Sequence, residues 1–222
     1  MGCHMAVRGP RKDSPRLTAR GAATRERIVA TAADLMFRQG VTATTLDQVV
    51  DACGISKSQL YHYFPDKDAL ITEVIAMRER RMVSSQKPQL DQVRSMRDLE
   101  RWRDSLVTGH RERDVPYRCP IGSLANELSC YDDARQSLAA IFSRWQGLLA
   151  DGLVRMRESG ELDPGADPAE LAVAVIAALQ GGYLLAETMQ DEQPFLVALD
   201  MALDHVKAHV RTPVANLTQP DT

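Results

Sequence analysis

Apolar residues recur every three to four positions along most of the chain, and no run of consequence alternates with the two-residue period of a strand. Between Arg25 and Gln39, Ile28, Ala32, Leu35 and Met36 share one helix face that Phe37 extends. Thr24 is placed to cap its start and Gly40 to stop its end. A second, short helix begins behind Thr44, whose hydroxyl is in register to cap the amide of Asp47. Leu46, Val49 and Val50 face inward, and Gly54 ends it. A third runs from behind Ser56 to Phe64, pinned by Leu60 and Phe64 at a spacing of one helical turn. Pro65 stops it, and Asp66 caps a fourth that carries Leu70, Ile71, Val74, Ile75 and Met77 and is expected to end before Lys87-Pro88.

The rest of the chain keeps the helical period. Leu99, Trp102, Leu106 and Val107 make a helix of Arg97 to Gly109, Arg111 to Pro120 reads as a polar loop, and Gly122 to Ser129 as a short helix. A long helix, capped by Asp132 or Asp133 and ending at Gly160, places Leu138, Ile141, Phe142, Trp145, Leu148, Leu149, Leu153 and Met156 at helical spacing. Glu161 to Asp167 is a turn segment, followed by two apolar helices, about Pro168–Met189 and Pro194–Val210. The expected fold is therefore all-α, without internal repeats.

Two short helices around Gly54, the second rich in polar and aromatic groups, have the layout of a helix-turn-helix that presents its second helix to a DNA major groove. The start of the second helix, at Thr44 and Thr45, offers unpaired amides and hydroxyls to a phosphate. Lys67 is expected to supply a second phosphate contact, Arg25 a third, and Lys57 of the third helix is a further DNA-binding candidate. Tyr61, His62 and Tyr63 can donate to phosphates or pack on thymine methyls, while Ser58 and Gln59 are the candidate base readers. Gln59 has a competing use, because Ser56 and Gln59 are spaced as a capping box. Tyr61 also has one, as an aromatic closing the three-helix core.

The stretch GVTATTLDQVVDACGISKSQLYHYFPDKDAL, Gly40 to Leu70, resembles the N-terminal signature of the TetR family of transcriptional regulators, and the similarity extends from Thr24 to about Ile75. The resemblance implies a homodimer with an N-terminal three-helix DNA-binding domain and a C-terminal helical domain for ligand binding and dimerisation. It also implies a palindromic operator and a small-molecule effector that lowers operator affinity. On that reading residues 1–23 are a flexible basic arm, 24–66 the helix-turn-helix domain, 67–211 the effector-binding and dimerisation domain, and 212–222 a flexible tail.

Within the body, Trp102, Phe142, Trp145 and Tyr183 are large groups suited to an apolar pocket. Asn126 and Gln180 are available as polar fixers, and Cys119 lies in a loop opening a helix. Leu171, Val175, Ala178, Gly182 and Leu185 on one helix, with Leu196, Leu199, Leu203 and Val206 on the next, are expected to form a four-helix dimer interface. Cys119 follows Arg118 at a helix start, surroundings that favour thiolate, so a thiol-based electrophile- or redox-sensing repressor on the same scaffold is the alternative reading.

Charge and composition change this picture little. Residues 1–64 hold nine Lys/Arg against five Asp/Glu, a balance of +4 that leaves −7 of the net −3 on the remainder, a basic reading end on an acidic body. Four cysteines without CxxC spacing read as free thiols, and Met1 to His4 read as an expression remnant before a native start at Met5. No apolar run reaches membrane-spanning length and no secretory segment is evident, so a cytoplasmic location is expected. His205 and His209 lack a third local ligand, so no metal site and no cofactor are expected. No nucleophile, phosphate-loop or dinucleotide fingerprint of an enzyme appears.

Overall fold

The computed structural model describes residues 18–111 and 117–211. The bulk of the expected basic arm, residues 112–116 of the polar loop and the tail from 212 lie outside them. The described residues form nine helices: α1 Ala19–Gln39, α2 Leu46–Cys53, α3 Lys57–Tyr63, α4 Lys67–Leu90, α5 Met96–Arg111, α6 Pro120–Glu127, α7 Asp132–Glu158, α8 Pro168–Met189 and α9 Gln193–Lys207. The extended pairing among them is a single antiparallel bridge, Leu162 with Val210.

The chain divides into two compact units, Met1–Gln86 with Arg118–Trp145, and Lys87–Tyr117 with Gln146–Thr222. The division expected at residue 67 is thus drawn differently. α6 and the first half of α7 group with the helix-turn-helix: Arg118 and Glu127, at the two ends of α6, bond the end of α1 and the turn after it, and Arg144 of α7 pairs with Glu79 of α4 at 3.0 Å. In the first unit Ile28, Val29, Ala32 and Met36 of α1 are buried, as are Val49, Leu60, Phe64, Leu70, Ile71 and Val74. The second buries Leu90, Leu99, Trp102, Leu149, Leu153, Leu179, Phe195 and Leu199.

Several boundaries depart from expectation for local reasons. α1 starts at Ala19, where Thr18 Oγ1 accepts from Gly21 N at 3.2 Å, because Ala19, Ala22 and Ala23 favour helix and extend it ahead of Thr24. The α2 cap is Thr45, in a reciprocal box with Gln48, and not Thr44. α4 continues through Pro88 to Leu90: Leu90 is fully buried, and Arg155 Nη2 donates to its carbonyl at 2.6 Å. α6 starts two residues earlier than expected, at Pro120, which suits N1 because it has no amide to satisfy. α8 is long and apolar enough by length and composition to cross a membrane. It packs along α9, with Gly182 so close to Phe195 Cα and Ala198 that a Cβ there would sit 3.1 and 3.0 Å from them.

Candidate nucleic-acid interface and effector site

α3 buries one side chain, Leu60, and turns all its other residues except the half-buried Tyr63 outward. Ser58, Gln59 and His62 are exposed, Tyr61 is 52% exposed, and Tyr63 is half-buried with its ring edge-on to His62 at 5.0 Å. Tyr61 therefore does not close the core. Gln59 makes the capping box: Oε1 accepts from Ser56 N at 3.1 Å, and Ser56 Oγ accepts from Gln59 N at 3.2 Å. The amide nitrogen of Gln59 carries no part of that box. Gln59→Ala is expected to lower stability by about 0.5–1 kcal/mol, the size of half a cap, measurable by thermal unfolding.

Around this helix the cations are held rather than free. Lys57 Nζ bonds Asp47 at 2.9–3.0 Å, and that hydrogen bond raises its pKa above the usual lysine value. Arg25 pairs with Glu73 at 2.7 Å and lies over the Phe64 ring at 5.2 Å, so it braces α1 against α4. Lys67 Nζ donates to Val41 O at 2.6 Å; partial burial pushes its pKa down, opposed by Asp68 and Glu127. Thr44 is 1% exposed: its hydroxyl donates to Gly40 O at 2.7 Å and its amide to Val41 O at 3.3 Å. It serves the interior of the turn, leaving exposed Thr45 as the hydroxyl at the α2 start. The turn is held further by Gln39 Nε2, 3.0 Å from Gln48 Oε1. Glu127 of α6 completes it, its Oε2 accepting from Val41 N at 2.7 Å and Thr42 N at 3.2 Å.

The expected effector residues fall into both units. Cys119, Asn126, Phe142 and Trp145 lie in the first, and Trp102, Gln180 and Tyr183 in the second. Asn126 is exposed and Phe142 half-buried, whereas Trp102, Trp145 and Tyr183 are buried. Trp145 Nε1 and Gln180 Nε2 are buried donors that meet no acceptor among the described residues. Sequence reasoning missed the aromatic cluster around Tyr183. His110 Nε2 and Tyr183 OH are hydrogen-bonded at 2.8 Å, His110 stacks on Tyr117 at 5.0 Å, and Phe195 touches all three rings. Tyr117 and Arg111 both bond Glu192, at 2.5 and 2.7 Å, and these bonds hold the Glu192 carboxylate down at about 2.

The expected dimer residues are mostly occupied within the chain. Leu171, Val175, Gly182, Leu199, Leu203 and Val206 are buried and Ala178 and Leu196 half-buried, because α8 and α9 must first cover their own unit. Of that set Leu185 is outward. It joins Val173, Leu184 and Met189 of α8 and Val197 and Met201 of α9, all 49–62% exposed. Cys53 and Cys119 are buried and Cys130 exposed. Cys119 caps α6, its sulfur accepting from Gly122 N at 3.3 Å. No group of three or more metal-ligating side chains occurs among the described residues, and His209 Nδ1 lies 3.0 Å from the His205 carbonyl.

The sequence matches "Bacterial regulatory proteins, tetR family" over residues 28–74 and "Transcriptional regulator LmrA/YxaF-like, C-terminal domain" over 96–201. It is 31% identical over 174 residues to an HTH-type transcriptional regulator in the lacX 3′ region of Lactococcus lactis, covering 76% of this chain and 85% of that one. It is 25% identical to the HTH-type transcriptional repressor NemR of Escherichia coli K12 over 86% of this chain and 95% of that one. The reduced form of E. coli NemR superposes with a TM-score of 0.68 at 26% identity, over 86% and 100% of the two chains. A TetR regulator from Chloroflexus aurantiacus shares the fold, with a TM-score of 0.77, 24% identity and coverage of 87% and 99%. The chain belongs to the TetR family of bacterial transcriptional regulators. It is a helix-turn-helix DNA-binding protein, as its sequence predicts.

Proposed function

We propose that the protein is a homodimeric, ligand-responsive repressor that leaves a palindromic operator when a small-molecule effector binds its helical body. The observation that carries this reading is α3, which keeps one buried anchor and presents a polar and aromatic face to solvent. So short a reader discriminates poorly alone, and the apolar stripe of α8 and α9 supplies the surface for pairing two of them. Thr45, Ser58, Tyr61 and His62 make the DNA contacts, with Gln59 reading through its amide nitrogen. Lys57, Lys67 and Arg25 hold the reader in shape and set its positive field.

On this reading the effector binds among the aromatic groups of the second unit. Tyr183, Phe195, His110 and Tyr117 give flat apolar walls, and Gln180, one turn before Tyr183 on α8, supplies a buried donor. This favours a planar or aromatic ligand with a hydrogen-bond acceptor. The family's membership consists of regulators, and nothing in the site chemistry argues for an enzyme. The test is selection of binding sites from a random duplex library with the purified protein. Two inverted half-sites about one helical turn apart are expected, and enrichment of no sequence overturns the reading.

A thiol-sensing repressor is the second reading, and the observation favouring it is that Cys119 caps α6, so modification of its sulfur removes the Gly122 bond. Cys119→Ser separates the two. Release by electrophiles is lost in that variant if the thiol is the sensor, while release by a reversible ligand persists.

A further inference from the structure

We infer that Glu127 is a positioning residue for operator binding: its carboxylate, at the end of α6, holds the α1–α2 turn in the conformation that α2 and α3 need to meet DNA. The inference rests on the DNA-binding reading above and extends it to a residue outside the helix-turn-helix.

Glu127 stands where local helix physics gives it no reason to be. It is the last residue of α6, and a carboxylate there faces the negative end of the helix dipole. What compensates it is a pair of consecutive backbone amides, Val41 N at 2.7 Å and Thr42 N at 3.2 Å. These two amides follow Gly40, whose backbone at φ 89° and ψ 159° aims them away from α1. The same turn receives Lys67 Nζ on the Val41 carbonyl, so both backbone poles of Val41 are gripped by opposite charges, one from α6 and one from α4.

The start of α6 is tied to the same helix end. Arg118, one residue before the Cys119 cap, donates to Phe37 O at 2.5 Å and lies over the Phe37 ring at 5.5 Å. Arg78 of α4 lies over the same ring at 5.5 Å and donates to Ala33 O at 2.7 Å. α6 is thus fastened at both ends across the last turn of α1 and the turn beyond it. A shift of α6 pulls on the amides that fix where Thr44, Thr45 and the α2 start lie. Val41 is buried and its amide faces α6, not the DNA side, so the carboxylate acts through the turn and not by competing with phosphate.

The experiment uses the full chain and a duplex selected by the wild-type protein from a random library. E127Q keeps the shape and one acceptor but removes the charge. Operator affinity is expected to fall about ten- to a hundredfold, the equivalent of one charge-assisted hydrogen bond. The slope of log affinity against log salt stays that of wild type, since no phosphate contact is lost. A second readout is amide hydrogen exchange. The Val41 and Thr42 amides share the Glu127 carboxylate as acceptor and should exchange faster in E127A than in wild type, while the interior amides of α1 keep their rates. Unchanged affinity, tighter binding, or a salt slope altered by one phosphate each overturns the inference, as do unchanged exchange rates at Val41 and Thr42. If the wild-type protein selects no duplex, the DNA-binding reading itself fails, a result distinct from any of these.

Discussion

Leu184→Glu is expected to leave the protein monomeric and to lower operator affinity by about two to four orders of magnitude, the range by which linking two modest readers exceeds one. Leu184 sits in the middle of the stripe that α8 and α9 leave uncovered, with Leu185 and Met189 beside it and Val197 and Met201 on the neighbouring helix. Each such side chain contributes roughly 1.5–3 kcal/mol when fully covered, and a two-fold axis counts it twice. A carboxylate in the centre removes that gain and adds a charge that has to be desolvated next to its own copy. Sedimentation equilibrium gives the oligomeric state and fluorescence anisotropy the affinity for a selected duplex. The thermal midpoint of the monomer's first unit should hardly move, because Leu184 is exposed and belongs to the other unit. A variant that remains dimeric and binds as wild type would place the interface elsewhere.

Most of the expected dimer residues lie on the side of these two helices that their own chain covers, and the reason is physical. α8 is apolar almost all round, so its period announces a helix without saying which face is covered by its own chain. Gly182 illustrates this: a small residue permits close approach, and the approach is made by Phe195 and Ala198 of α9, not by a second copy. The expected α2 cap falls one residue too early. Thr44 with Asp47 and Thr45 with Gln48 both fit the spacing of a capping box, and the choice falls to Thr45 because Thr44 can reach the Gly40 carbonyl inside the turn. By contrast, the anchors Ile28, Ala32, Met36, Leu60 and Phe64 were legible, since a one-sided face has a single way to be buried. The same holds for the box at Ser56 and Gln59, where no second pair competes. Glu127 left a faint signal, an acid at a helix C-terminus, but its partners are 85 residues or more away in sequence. The Tyr183 cluster left none, because Tyr117, His110 and Phe195 come from three separate segments.

Gly40→Ala is expected to destabilise the first unit by about 1–3 kcal/mol and to weaken operator binding with it, while Gly54→Ala costs about 1–2 kcal/mol and Gly54→Asn less. The two glycines end α1 and α2, yet they differ in what their backbones demand. Gly54 lies at φ 61° and ψ 42°, the left-handed helical well that Asn tolerates, with nothing within 4 Å of an added Cβ. Gly40 lies at φ 89° and ψ 159°, a region open essentially to glycine alone, and its Cβ would stand 3.0 Å from Glu127 Oε2. Substitution there strains the backbone and pushes away the carboxylate that holds Val41 and Thr42. The two effects separate in a cycle with Glu127→Ala: the backbone strain of Gly40→Ala persists, the collision disappears, and the double variant is less destabilised than the sum of the singles. Denaturant midpoints measure all four proteins. Full additivity would show that the alanine methyl and the Glu127 carboxylate do not meet, and that strain alone makes glycine necessary at this turn.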